Sequence, residues 1–208
     1  MKIILTLLLL LTLAGCGWGG ESPETTVLLG LDGQPVTGPR LVFSGTEITY
    51  NGQPLRLGDT LEDWERVLGK ADRTSHPMGG VYIWDDLGIR GYTRNSDKRR
   101  MKTLSVELNR NPQHAANDLY SKPGEGISPS SLFNGYLEID GAPLRRDSIV
   151  REYGGKFKNI LSFNCRSGIS LCSTSIRQGD IYMYVYISID ERKRNSIIYT
   201  LSFSDDTN

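Results

Sequence analysis

Few residues in this 208-residue chain have the types and spacings that bond-making chemistry needs. Asp85 and Asp86 stand side by side, and paired carboxylates serve acid–base catalysis or hold a hard cation. They precede Leu87-Gly88 between two strand-like runs, where Asp is a favoured turn residue, and neighbours on a strand point to opposite faces. A turn is therefore their expected role. The two histidines, His76 and His114, sit in a Pro/Gly-containing loop and in a connector, outside any ligand spacing such as His-Glu-x-x-His. No Gly-x-Ser-x-Gly elbow, Walker-type loop or Cys/His metal cluster is present. The expectation is a protein without catalytic residues, cofactor or metal, hence not an enzyme. An unrecognised hydrolase built on Asp85 or His76 is the less favoured alternative.

The cysteines carry more information. Lys2 is followed by the apolar run Ile3 to Leu11 and by Leu13-Ala14-Gly15 directly before Cys16. A positive start, a short hydrophobic stretch and small residues make an export signal, too short to span a bilayer, which takes about 20 residues. Leu13-Ala14-Gly15-Cys16 resembles the lipobox of bacterial lipoproteins. That likeness implies lipid on Cys16, cleavage before it and a signal peptide over 1–15. Gly17 in place of Asp resembles an outer-membrane address, with the protein facing the periplasm. Each buried lipid methylene contributes roughly 0.8 kcal/mol, so more than one chain gives lasting attachment. The expected partner of the N-terminus is thus a membrane.

Cys165 and Cys172 remain, an even pair in an oxidising compartment, flanking Arg166-Ser167-Gly168-Ile169, a plausible reversal between short strands. A cross-strand disulfide is expected; two buried thiols are the alternative.

Removing Lys2 with the signal leaves 23 basic against 24 acidic residues in a mature chain of 193, which excludes a general nucleic-acid binder. Gly, β-branched and aromatic residues are plentiful and long helical periodicity is absent, which points to a strand-rich fold.

A repeat organises the rest. Tyr50-Asn51-Gly52-Gln53-Pro54-Leu55 matches Ile139-Asp140-Gly141-Ala142-Pro143-Leu144, both tight-turn patterns, and Leu31-Asp32-Gly33-Gln34-Pro35-Val36 repeats the turn without the continuation. Asp59-Thr60-Leu61 then parallels Asp147-Ser148-Ile149, and Gly69-Lys70 parallels Gly155-Lys156. A short capped helix is expected between these marks in each copy, with Leu61, Trp64 and Leu68 as the buried face of the first. Alternating strands follow, Thr103 to Leu108 and Ile181 to Ile189 among them. The expected fold class is α+β, a tandem repeat of β-hairpin, short helix and antiparallel β-strands. Its parts are a flexible tether over 16–40, a first repeat over 41–110, a connector with a short helix over 111–130, and a second repeat over 131–208.

Two features suit contact with another molecule. Basic turns at Lys98, Arg99, Arg100 and at Arg192, Lys193, Arg194 could meet anionic groups, or serve only as soluble, edge-protecting hairpin tips. Tyr182, Tyr184 and Tyr186 form a row on one face of a strand, core if covered and a contact surface if exposed.

The repeat resembles a family of bacterial lipoproteins classified only as a domain of unknown function. Ile48-Thr49-Tyr50-Asn51-Gly52, Leu55-Arg56-Leu57-Gly58, Trp64, Val67-Leu68-Gly69-Lys70 and Tyr82-Ile83-Trp84-Asp85-Asp86-Leu87-Gly88-Ile89 carry the likeness, well over about 44–108 and faintly beyond. The functional expectation is a lipid-anchored envelope protein that binds another envelope or periplasmic protein, in one version as an immunity-type protein. A structural lipoprotein contacting lipid or cell wall is the alternative.

Overall fold

The computed structural model describes residues 28–75, 80–93, 99–110, 126–148, 164–165, 171–178, 181–189 and 197–205. Cys16, His76, Lys98, His114, Arg192, Lys193 and Arg194 lie outside them, as do the expected connector helix and most of the second expected helix.

The repeated turn motif is a two-residue hairpin in both places. Asn51 and Gly52 take φ of 51° and 77°, Asp140 and Gly141 take 49° and 83°, and Tyr50 pairs with Gln53 as Ile139 pairs with Ala142. Two successive positive φ values define the mirror-image turn whose twist matches the strands, and Asn-Gly or Asp-Gly is the cheapest way to adopt it. The proline that follows each turn has a second effect. Pro54 lies in β3 (Gln53–Pro54) and Pro143 in β9 (Ala142–Leu144), the two edges of one sheet. A residue without an N–H blunts an edge against further pairing.

That sheet has five strands in the order β3, β2 (Glu47–Tyr50), β1 (Arg40–Ser44), β8 (Tyr136–Ile139), β9, with β1 antiparallel to β2 and parallel to β8. Along β1, Leu41 and Phe43 point inward and are buried while Val42 points outward.

Opposite it lies an eight-stranded sheet made of two four-stranded antiparallel meanders joined edge to edge. The first is β4 (Arg73–Ser75), β5 (Val81–Trp84), β6 (Ile89–Thr93) and β7 (Met101–Glu107). The second is β10 (Asn164–Cys165), β11 (Leu171–Gln178), β12 (Ile181–Ile189) and β13 (Ile198–Asp205). They meet where β7 pairs antiparallel with β13, Ser105 opposite Ser202. The sheet order is therefore nearly two-fold symmetric about that pair, and the two halves form one continuous sheet.

The inner faces of the two sheets share one core. Phe43 of β1 stacks on Phe203 of β13 at 3.5 Å between centroids and 9° between planes, and Leu104, Val106, Val185, Ile187 and Leu201 are buried around them.

Helix α1 (Leu61–Leu68) covers the inner face of the first meander. Thr60 is its cap, accepting from Asp63 N while the Asp63 carboxylate accepts from Thr60 N, and Gly69 at φ 86° ends it. Trp64 is fully buried, its indole N–H donating to Arg56 O at 2.9 Å, and it tilts against Trp84 at 6.2 Å. Gly91 makes room for that packing: a Cβ there would stand 2.3 Å from Met101 Cε and 3.0 Å from Trp64 Cζ3.

The α+β expectation is thus corrected. The described residues form thirteen strands in two facing sheets with a single eight-residue helix, an essentially all-β sandwich. Sheet-on-sheet burial supplies the core, and α1 only fills the space beside the smaller sheet. The chain also joins the fold earlier than residue 41. Leu31 is 2% exposed, its N–H donates to Gly135 O, and its carbonyl accepts from Arg146 N.

Candidate binding face

Side chains directly across neighbouring strands share a face, so the registers give the composition of the outer side of the large sheet. One row reads Ser173, Tyr186, Ser202, Ser105, Arg90, Ile83 across six strands, and the next reads Ser175, Tyr184, Ser204, Thr103, Tyr92, Val81. At the centre the hydroxyls bond each other: Ser105 Oγ to Ser202 Oγ at 2.7 Å and Thr103 Oγ1 to Ser204 Oγ at 2.9 Å.

The two-fold relation makes these rows comparable half by half, and the halves differ. In the first, Val81 and Ile83 are 1% and 0% exposed. The matching positions of the second, Ser175 and Ser173, are exposed and half-buried. Tyr184 and Tyr186 stack at 5.9 Å with 25° between planes and are half-buried.

What closes the first half is built from arginine. Residues 126–131 form no strand, and their carbonyls are taken by guanidinium groups. Arg73 donates to Gly126 O at 2.6 Å and Ser128 O at 2.7 Å, Arg90 to Ile127 O at 3.2 Å, and Arg110 to Pro129 O and Ser130 O at 2.7 and 2.5 Å. Among the described residues no neighbouring strand supplies partners to these carbonyls, and the guanidinium groups do so instead. Beneath the strap, Arg90 Nη2 stands 3.7 Å from Glu107 Oε2, which also accepts from Thr200 Oγ1 at 3.1 Å. Arg90 Nε has no hydrogen-bond partner among the described residues. Burial pushes the Tyr92 hydroxyl above its ordinary pKa, with Arg90 acting the other way and Glu107 adding to the rise.

The same strap accounts for Asp85. Its carboxylate takes Arg73 Nε and Nη2 and the N–H of Ser130 at 2.7 Å, and its carbonyl accepts from Ser131 N. Burial opposes ionisation, but the hydrogen bonds from Arg73 and Ser130 outweigh it and hold the carboxyl below the usual range. Asp86 is exposed in the same turn. The pair lies in a turn, the expected role, with one carboxylate committed to an ion pair.

Of the expected basic contact residues, Arg99 and Arg100 are described, and both are exposed: the Arg99 carbonyl accepts from Leu61 N, and Arg100 donates to Gly58 O at 2.9 Å. The strand starts that follow the two basic turns, Met101 and Ile198, lie at opposite ends of the sheet because β7 and β13 run antiparallel. Tyr182 lies in β12 opposite Arg177. Cys165 and Cys172 are register partners across β10 and β11, and Cys172 is fully buried.

The serines of β11 and β13 and the arginines of the strap were missed from sequence. The signal for the β13 serines was present as alternation, since Ser202 and Ser204 interleave with Leu201 and Phe203.

A small cavity of about 410 Å³ opens between the β1–β2 turn and the end of β11, lined by Ser44, Gly45, Glu47, Ile176, Arg177 and Gln178. Among the described residues no three His, Cys, Asp or Glu side chains approach closely enough to hold a metal, and no helix is long and apolar enough to cross a membrane.

The model of a domain of unknown function, DUF7738, matches residues 40–152, more than half of the chain. The protein belongs to this family. The family's span opens at the first residue of β1 and contains the whole five-stranded sheet with β4 to β7, but it stops before β10 to β13. The DUF7738 segment thus supplies half of the large sheet, and the Tyr184–Tyr186 face comes from the part beyond it. No curated protein and no solved structure matches the chain.

Proposed function

We propose that this DUF7738 protein is a lipid-anchored binding module of the bacterial envelope, held to the outer membrane through Cys16 and facing the periplasm, with recognition rather than catalysis as its role. The observation that carries the recognition reading is the asymmetry of the large sheet. One half of its outer side buries Val81 and Ile83 beside the arginine-held strap; the other has Ser175 and Ser173 at the matching positions and carries two stacked, half-buried tyrosines. Tyr is enriched at interfaces because it offers a rigid apolar body with a polar tip. The commitment of Asp85 to Arg73 and Ser130 argues against the hydrolase alternative.

Anchoring rests on the Leu13-Ala14-Gly15-Cys16 motif. The test is affinity purification of the natively lipidated protein from envelope fractions, with Cys16→Ser as the unanchored control. The expected result is membrane fractionation that Cys16→Ser abolishes, together with an envelope component recovered only by the anchored form. A Cys16→Ser chain that still fractionates with membrane would refute the anchor.

A further inference from the structure

We propose that the outer face of β11 to β13 seats a neutral glycan strand of the cell wall. This deepens the binding-module reading and depends on it.

The argument is from the chemistry of the face. Its two rows present Ser173, Ser175, Ser202 and Ser204 around Tyr184 and Tyr186. None of these six carries a formal charge at neutral pH, in a chain where 23% of residues are charged. Arg177 stands at the margin of the rows, and Glu107 is buried against Thr200 and Arg90. A face so free of charge does not attract an anionic lipid surface or an acidic peptide, since that attraction requires unbalanced cations.

Sugar rings match it instead. Each has an apolar C–H face, which a tyrosine ring can cover, and an edge of hydroxyls that both donate and accept, as serine hydroxyls do. Each row sets one tyrosine between two serines at a strand spacing of roughly 4.8 Å, and the two rings follow one another along β12, so hydroxyls and rings form a patch that an extended polymer can cross. A protein partner is less well matched. Protein hot spots gather around desolvated pockets that receive a large side chain, whereas the cavity described above lies at the end of β11, between it and the β1–β2 turn.

The two-fold relation between the meanders adds an internal comparison. Tyr92 stands in the same row as Tyr184, across the central strand pair, and is half-buried like it, but Val81 and Ile83 beside it are buried where the second half carries Ser175 and Ser173. Serine in place of Val81 and Ile83 is what makes the outer side of the second half polar there.

The test uses the mature chain with Cys16→Ser and cell-wall sacculi stripped of lipid and protein. Co-sedimentation is expected, and it should survive a rise to about 0.5 M salt, which screens contacts made by basic turns. The Tyr184→Ala/Tyr186→Ala variant should weaken it roughly tenfold or more. Because that variant might fold poorly, a second measurement follows tyrosine resonances of the unmodified chain during titration with a soluble chitin tetrasaccharide; shifts confined to this face are expected. Absence of co-sedimentation, or binding lost in salt and indifferent to the tyrosines, overturns the proposal. If sacculi are ignored while the lipidated protein still recovers an envelope protein, the glycan assignment falls and the module reading stands. If neither is recovered, both fall.

Discussion

Arg73 holds Asp85 through two nitrogens, Nε to Oδ2 at 2.7 Å and Nη2 to Oδ1 at 3.2 Å, and from the same guanidinium reaches the carbonyls of Gly126 and Ser128. One planar side chain therefore joins the β4–β5 hairpin to the strap that closes the first half of the sheet. Lysine could not replace it, because only the guanidinium fork satisfies a carboxylate and two carbonyls together.

Removing either partner leaves the other half-buried without its counter-charge, so Arg73→Ala or Asp85→Asn should lower stability by about 2–4 kcal/mol in chemical denaturation. The pH dependence has a definite sign. Asp85 has a folded pKa below its ordinary value, so its contribution is complete above the unfolded carboxylate range and is lost as pH falls through the folded value. Asp85→Asn should flatten the acid limb of the stability curve. Parallel acid limbs for the two proteins would show that the pair does not carry the linkage.

Gly91→Ala places a methyl group against Met101 Cε, with Trp64 and Trp84 behind it. Overpacking of this kind costs about 1–3 kcal/mol. Met101→Ala alone should cost more by opening a cavity, yet combining the two should cost less than their sum. Melting curves of both single variants and the double variant give the coupling, and strict additivity would mean that the contact is not the cause.

Local structure was legible in the sequence wherever a residue's own backbone demanded it. Asn51-Gly52 and Asp140-Gly141 announce their turns because few other pairs tolerate two positive φ angles, and Thr60 with Asp63 marks the start of α1. What joins distant segments was not legible. Nothing near Ser105 states that Ser202 lies opposite, or that β1 runs parallel to β8, since pairing partners are set by the whole core. Arg73 and Arg90 read as ordinary strand polar residues, because their acceptors lie in backbone 37 to 55 residues further on. The candidate face was half legible: the tyrosine row in β12 was read, but the serines beside it were not, and their exposure follows from a pairing that only the fold reveals.

Asp140 closes the smaller sheet in a comparable way. From a position of positive φ its Oδ1 accepts the N–H of Gly45 at 2.7 Å, and its own N–H donates to Phe43 O at 2.7 Å, tying the β1–β2 turn to the β8–β9 turn. Asp140→Ala loses both the acceptor and the tolerance of that conformation, for a cost of about 2–3 kcal/mol. Asp140→Asn, which keeps both, should recover most of it. Thermal melts separate the two variants, and an equal loss in both would assign the effect to charge alone.

Cys165 and Cys172 face each other across the short pairing of β10 with β11. Directly opposed residues on antiparallel strands lie about 4.5–5.5 Å apart at Cα, within the range a disulfide spans. A bond here would fasten a two-residue edge strand that backbone pairing alone holds weakly, closing a loop of eight residues worth about 2.5 kcal/mol by chain entropy. Protein purified from the periplasm and alkylated under denaturing conditions should gain no label at these two positions without reductant and two labels after reduction. Reduction should lower the melting temperature, and Cys165→Ser should match the reduced protein. Full labelling without reductant would mean that the pair are thiols packed at a sheet edge, and the two-residue β10 would then depend on its hydrogen bonds to β11 alone.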